Sequence, residues 1–237
     1  MKFSSPLVPA RLIKRYKRFL ADAELLAGPD QGQTLTVHCP NPGAMLGLAE
    51  PDSRIWLTRS NNPTRKLAYG WELINVDGGL VGINTSLPNA LAEEALRSGL
   101  IPELAGYTNL RREVAYGKNS RIDFLLETPG QPPCYVEIKN VHLKRKPELA
   151  EFPDSVTVRG AKHLSELASI KQNGARAVML YIVQRSDCRS FSLARDIDKA
   201  YTTAFSSAIA CGVEAFCYAC NITTDGIELA KPLPIIL

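Results

Sequence analysis

Two stretches, Ser120-Arg121-Ile122-Asp123-Phe124-Leu125-Leu126-Glu127 and Cys134-Tyr135-Val136-Glu137-Ile138-Lys139-Asn140-Val141, decide the fold class of this chain. Side chains alternate across a strand, so in the first stretch Arg121, Asp123 and Leu125 share one face and Ile122, Phe124 and Leu126 the other. An acid therefore sits in the middle of an otherwise apolar strand. In the second, Glu137 and Lys139 share a face, about 6.6 Å apart along the strand, with Val136 and Ile138 opposite. The loop Thr128 to Pro133 joins the two as a hairpin. Symmetric pairing would set Glu127 against Cys134 and Asp123 against Ile138, the wrong parity for a shared site. A slip of one residue, by a bulge or an odd-numbered loop, brings Asp123 opposite Glu137 or Lys139. A site built on these residues thus requires that irregularity.

Two carboxylates on adjacent strands can hold one Mg²⁺, or Mn²⁺ in its place, that keeps several waters and accepts a phosphate oxygen. A lysine two residues along can position or deprotonate the attacking water, or offset charge on the transition state. The plain alternative is an exposed cross-strand ion pair. Glu137-Ile138-Lys139 is the sole [Asp/Glu]-x-Lys in the chain and lies beside the mid-strand Asp123, which favours the metal reading. A third carboxylate is expected from Glu94 on the preceding helix, where Leu87, Leu91 and Ala95 form the apolar stripe and Glu94 flanks it while Glu93 points away. Glu113 is the alternative.

Working outward, residues after Ser86 alternate helices and strands. Ser86 is placed to cap a helix with Pro88 in its first turn, ending at Gly99. Strands are expected at 110–116, 120–127, 134–141, 175–183 and 213–220, and helices near 160–173 and 197–211. The polar stretch 142–158 is long enough to suggest a functional loop. This order indicates an α/β domain with a mixed central sheet. Before it come short β segments at 33–39, 54–60, 70–76 and 80–84, separated by turn residues. Residues 11–20 read either as a strand or as a helix with Leu12, Ile13, Tyr16, Phe19 and Leu20 on one stripe. Five short strands in this span suit a small β-barrel of the OB type. The expected organisation is α/β (α+β overall), with a barrel in residues 1–85 and an α/β domain in 86–237.

The chain has 237 residues, 28 Lys+Arg against 24 Asp+Glu, and 45% hydrophobic residues. That size buries a core without disulfides or a structural metal, and no apolar run reaches the ~20 residues that cross a bilayer. Cysteines 39, 134, 188, 211, 217 and 220 read as free thiols of a cytoplasmic protein, with Cys217-x-x-Cys220 lacking a second pair for zinc. The three histidines cannot make a multi-histidine centre, and no Gly-rich phosphate loop is present. His38 and Cys39 point to opposite strand faces, against a Cys-His nucleophile pair.

Charge is unevenly placed. The first 20 residues hold six cations and no acid, while the whole chain has a net charge of only +4, so the remainder is net acidic by two. Lys14, Arg15, Lys17 and Arg18, then Arg65 and Lys66, then Lys144, Arg145 and Lys146 are candidate nucleic-acid contacts. Tyr16, Phe19, Trp56, Tyr69 and Trp71 interleave with the first two groups as candidate stacking platforms. Arg159, Lys162 and His163 open a helix, where cations and free N–H groups suit a phosphate. The alternative is solvated faces whose aromatics enter the core.

These residues resemble the sugar fermentation stimulation protein A (SfsA) family. The resemblance rests on residues 12–22, on His38-Cys39-Pro40-Asn41-Pro42-Gly43-Ala44-Met45 and on Trp71-Glu72-Leu73. It continues through Ser120-Arg121-Ile122-Asp123-Phe124, Glu137-Ile138-Lys139 and 152–164. It implies an N-terminal OB-like domain and a C-terminal domain similar to the PD-(D/E)xK nucleases, with Asp123, Glu137 and Lys139 on that superfamily's core positions. It also implies a bacterial, non-specific DNA binder and a candidate regulator of maltose metabolism. Ile122 stands where the superfamily has proline, and Asn41-Pro42-Gly43 where Asn-Thr-Gly is expected. Two readings follow: a Mg²⁺-dependent DNA phosphodiesterase, or a non-catalytic DNA-binding regulator that keeps the nuclease fold. Both leave open single- or double-stranded DNA and the oligomeric state, and neither requires a membrane.

Overall fold

A computed structural model of the chain describes residues 1–117 and 120–236. The first unit comprises β1 (Val8–Tyr16), β2 (Leu20–Leu25), β3 (Thr34–His38), β4 (Arg54–Arg59), β5 (Tyr69–Val76) and β6 (Gly79–Gly82). Their order is β3-β2-β1-β4-β5-β6, and a parallel pairing of His38 with Gly70 closes the barrel. The ambiguous first segment is a strand, with Ala10 and Leu12 fully buried at alternate positions. It ends at a tight turn in which Lys17 and Arg18 both take positive φ (49° and 62°), the handedness that lets a turn match strand twist. No Gly, Pro or Asn marks this turn, which is why β1 and β2 read as one element in the sequence. Trp71 and Tyr69 are buried in the barrel with Leu12, Val37, Ile55 and Leu57. Trp71 donates its indole N–H to Leu73 O (2.9 Å) and Tyr69 its hydroxyl to Asp30 (2.7 Å). Neither is a base-stacking platform.

The second unit comprises α1 (Leu87–Ser98), β7 (Asn109–Tyr116), β8 (Ser120–Glu127), β9 (Cys134–Val141), β10 (Leu143–Lys146), β11 (Leu149–Phe152) and α2 (Val158–Gln172). It continues with β12 (Arg176–Val183), β13 (Ser190–Leu193), α3 (Lys199–Ala210), β14 (Glu214–Ile222), β15 (Ile227–Pro232) and β16 (Ile235–Ile236). The central sheet runs β15-β14-β12-β9-β8-β7, parallel through β9, β12 and β14 and antiparallel outside them. On one face α1 packs Leu91, Ala92 and Ala95 against Phe124, Val136 and Leu180. On the other, α2 and α3 pack Leu164, Leu167 and Phe205 against Met179, Tyr181 and Val183. β12 is covered on both faces, which explains its unbroken apolar sequence. All six cysteines are free, and only Cys211 is exposed.

Several local expectations change. Residues 142–158 are mostly not a loop: β10 and β11 form a hairpin turning at Glu148 (φ 59°), and they join β13 and β16 in a second sheet. Arg145 pairs with Glu151 across the ribbon and Lys144 with Asp77 and Asp187 outside it, so two charges that look solvated in one dimension are paired in three. Ser86 does not cap α1; its hydroxyl donates to Asn84 Oδ1 (2.6 Å). Gly99, at φ 72°, closes that helix as expected. α2 begins at Val158, capped by Thr157 Oγ1, which accepts from Gly160 N (3.1 Å). Residues at the start of the chain join the second unit: Lys2 bridges Gly226, and Met1, Phe3 and Leu7 pack on the α1 core. No helix is long and apolar enough to cross a membrane among the described residues.

The two units meet along a hydrogen-bonded seam. Gly82 N donates to Gln184 O (3.0 Å), Gln184 Nε2 to Asn84 O (3.1 Å), and Met45 N to Asp154 Oδ2 (3.0 Å). Gln184 is fully buried. A Cβ at Gly82 would lie 2.5 Å from Gln184 Oε1 and 3.0 Å from its Cδ. We therefore expect Gly82→Ala to overpack the seam and cost about 1–3 kcal/mol. Urea denaturation should report that loss, and limited proteolysis should cut sooner between the barrel and the second unit.

Candidate active site

The register of the β8–β9 hairpin places the site. Phe124 pairs with Val136, Leu125 with Tyr135 and Leu126 with Cys134. Seven residues, 127–133, thus lie between the last paired positions, and one further rung sets Asp123 opposite Glu137. That is the offset a shared site requires. The ladder ends there, and side-chain alternation breaks with it: Ile122 packs in the α2/α3 core whereas Phe124 packs in the α1 core. On the neighbouring strand β7, Glu113 takes φ 51° at the position opposite Asp123. Where β8 and β9 part, the Asp123 carboxylate replaces the missing backbone acceptor. Its Oδ2 accepts from Ile138 N (2.7 Å) and its Oδ1 from Asn89 Nδ2 (2.8 Å).

Glu137 is buried, 3% exposed. Its Oε1 accepts from Lys139 Nζ (2.6 Å) and from His163 Nδ1 on α2. Its Oε2 is buried with no hydrogen-bond partner. Arg159 Nε donates to His163 Nε2 (3.2 Å), so that ring nitrogen is the acceptor and Nδ1 carries the proton given to Glu137. His163, expected at a phosphate, is instead an interior residue that orients Glu137.

The two carboxylates are pushed in opposite directions. Burial and then the Glu137 charge raise the Asp123 pKa, outweighing the Ile138 and Asn89 hydrogen bonds. Burial would raise Glu137 too, but the His163 hydrogen bond and the Lys139 charge overcome it and hold its pKa low. The Tyr116 hydroxyl is buried without a partner, and burial, then the charges of Glu137, Glu166 and Asp123, push its pKa far up. Glu166 was not anticipated; its position three residues after His163 on one helix face was the available signal.

This arrangement fits a hard divalent cation. An uncompensated buried carboxylate oxygen is costly, and a cation between Glu137 Oε2 and Asp123 would remove both that cost and the mutual repulsion. No group of three or more His, Cys, Asp or Glu side chains is disposed as a ligand set among the described residues. The fit is therefore to an ion that takes two carboxylates and keeps waters, as Mg²⁺ does.

Glu94 is not part of this site. It pairs with the Met1 ammonium (3.0 Å) on the far side of α1 and is largely exposed; α1 contributes Asn89 instead. The Glu113 side chain is exposed. Of the candidate nucleic-acid contacts, three besides His163 are occupied within the fold. Arg15 donates to the carbonyls of Arg18, Asn41 and Gly43 (2.8–3.0 Å). Lys144 ties Asp77 of the barrel (3.1 Å) to Asp187 (2.6 Å). Arg145 grips Glu151 and Asp196. Lys14 is exposed, 3.5 Å from Asp22 and over the Tyr16 ring. Lys17, Arg18, Arg65, Lys66, Lys146 and Arg159 are exposed.

Residues 13–83 match the model described as the SfsA N-terminal OB domain, and residues 86–226 that of the sugar fermentation stimulation protein RE domain. The chain belongs to the SfsA family. Its fold is accordingly an OB barrel followed by a PD-(D/E)xK, restriction-endonuclease-like domain. The sugar fermentation stimulation protein homolog of Jannaschia sp. is 55% identical over 237 residues, covering 99% of this SfsA chain and 97% of the relative. That of Paramagnetospirillum magneticum is 55% identical, covering 100% and 98%. The solved structure of Pyrococcus furiosus SfsA in complex with Ca²⁺ superposes with a TM-score of 0.88 at 25% identity, covering 100% of this chain and 98% of that one.

Because the folded state raises the Asp123 pKa, its ionisation works against folding as pH climbs from the ordinary carboxylate value through the raised one. Asp123→Asn in EDTA should therefore raise Tm near neutral pH. The gain should shrink as pH falls toward the ordinary carboxylate value. Thermal melts of both proteins across pH would show it.

Proposed function

We propose that this SfsA protein is a Mg²⁺-dependent DNA phosphodiesterase, with Mn²⁺ able to substitute, and that it binds DNA without sequence preference. The observation that carries the reading is Glu137. It is buried, fixed through one oxygen by Lys139 and His163, and left with the other oxygen unpartnered beside Asp123. The Pyrococcus furiosus relative was solved in complex with Ca²⁺, which supports a divalent cation as the partner of this chain.

Asp123 and Glu137 would hold the ion, which when bound would polarise a phosphate oxygen and lower the pKa of a coordinated water. The chain's own groups do the rest. Asn89 and the Ile138 amide fix the Asp123 carboxylate. His163, set by Arg159, fixes Glu137. The Lys139 ammonium, 14% exposed, stands where it can orient a water or offset charge on the departing phosphate group. The exposed cations Lys17, Arg18, Arg65, Lys66 and Lys146, spread over both units, would contact the strand through its phosphates.

In Mg²⁺ or Mn²⁺ the purified protein should nick or cut DNA, and Asp123→Ala, Glu137→Ala or Lys139→Ala should each lower the rate by about 10²-fold or more. Plasmid, single-stranded and branched DNA all left uncut, with salt-sensitive binding retained, would favour the non-catalytic regulator instead. Binding should weaken in Lys17→Ala/Arg18→Ala and lose about one unit of salt slope per phosphate contact removed. Arg145→Ala should leave that slope unchanged, because its guanidinium already serves Glu151 and Asp196. Titrations of labelled DNA at several salt concentrations test both variants.

A further inference from the structure

The two most exposed large hydrophobic residues among those described are Val158, at 80%, and Val156, at 68%. They lie two positions apart where the chain enters α2. A mobile loop would let them fold back, but this segment is pinned on both sides. Asp154 accepts from Met45 N of the barrel (3.0 Å) and meets His142 Nε2 (3.3 Å). Between the valines, Thr157 N donates to Asp198 Oδ2 (2.7 Å) and its hydroxyl caps α2. The valines are therefore held out into water by a rigid frame, a state that costs free energy unless something covers them.

Their surroundings identify what covers them. Arg159, next in sequence, reaches His163 and through it Glu137, so the apolar pair borders the candidate active site. On the other side, Met45 carries the exposed Leu46 to the same edge, and Arg15 clamps the 41–43 loop to the β1–β2 turn that presents Phe19. Leu46 and Phe19 are about half exposed. The exposed cations Lys17 and Arg18 sit in that turn, and Arg159 and Lys162 follow the valines. The result is one face across the seam, with apolar side chains flanked by positive charge and leading to the carboxylates. A fully paired duplex offers such a face only phosphates and sugars, and leaves the apolar groups against polar surface. DNA with unstacked bases offers both partners: phosphates to the cations, and base faces or an opened base step to the apolar side chains.

We propose that the substrate is DNA with unpaired or unstacked bases next to the scissile phosphate, recognised by Val156 and Val158 as an apolar wedge with Leu46 and Phe19 beside it. This deepens the phosphodiesterase reading and rests on it. The test uses the full chain in Ca²⁺, with a labelled duplex and the same duplex carrying a central unpaired bubble with 2-aminopurine in it. Wild type should bind the bubble at least about tenfold more tightly than the duplex, and the 2-aminopurine signal should change on binding. Val156→Ser/Val158→Ser, altered only at exposed positions, should lose that preference and the signal change while holding its duplex affinity and Tm. Equal affinity of wild type for bubble and duplex, or a preference that survives in the double variant, overturns the wedge and leaves the phosphodiesterase reading standing. Failure to bind either DNA at low salt overturns both.

Discussion

The hydrogen bond from the Ile138 amide to Asp123 Oδ2 is the constraint on which the candidate site depends. At that point β8 and β9 stop pairing, and a buried amide that loses its carbonyl must find another acceptor. Asp123 supplies it, and Asn89 from α1 occupies its other oxygen. The carboxylate is thereby held among strands and helices instead of swinging into solvent, and it faces Glu137 across the gap. The fold accepts two buried acids side by side, one with its pKa raised and the other with its pKa lowered. Such an arrangement weakens the empty protein and is well suited to a cation.

The same strand joins the site to the barrel. Glu137 and Lys139 are followed by Asn140, whose Oδ1 accepts from Gln184 Nε2 (2.8 Å), and Gln184 in turn holds Gly82 and Asn84 at the end of the barrel. Two residues further, His142 meets Asp154, which receives the Met45 amide of the barrel. Burial alone would raise the Asp154 pKa; the His142 hydrogen bond, with the Met45 amide behind it, holds it low. A charged Asp154 is thus built into the seam. β9 therefore fixes the spacing of the carboxylates and the placement of the barrel at once, and a change in either displaces the other.

The sequence expressed the parts of this that depend on period and parity. Alternation picked out Asp123, Glu137 and Lys139, and the one-residue offset followed from requiring them to meet. What it concealed depends on partners remote in sequence. Asn89 outranks Glu94 at the site because α1 lies with its N-terminal end toward Asp123 and leaves Glu94 to the Met1 ammonium, a geometry helical spacing does not contain. Lys144-Arg145-Lys146 has the composition of a phosphate-binding run, yet two of its three charges are spent on Asp77, Asp187, Glu151 and Asp196. Trp71 and Tyr69 carry the same aromatic signature as Phe19, and only burial distinguishes a core residue from a stacking platform. His163 looked like a surface cation because its partners, Glu137 and Arg159, come from a strand 26 residues earlier and from the turn before it.

Pairing also changes what the basic N-terminus can do. Of its six cations, Arg11 is held by Glu24 and Asp52, Lys14 lies near Asp22, and Arg15 is committed to three carbonyls. The Lys17–Arg18 turn is what remains beside the candidate site, joined across the seam by Arg159 and Lys162. Counterion release scales with the phosphates neutralised, and Arg159 already serves His163 while Lys162 pairs with Glu166, so a face with so few exposed cations has a shallow salt slope and limited non-specific affinity. Tight binding must then draw on a term that salt does not screen. Exposed valines fixed on a rigid helix entry supply such a term, and they supply it only to a ligand that brings apolar surface of its own. On the proposed reading, the economy of charge on this face and its exposed hydrophobic residues are one design, in which phosphate contacts would bring the strand in and base contacts would decide which strand stays.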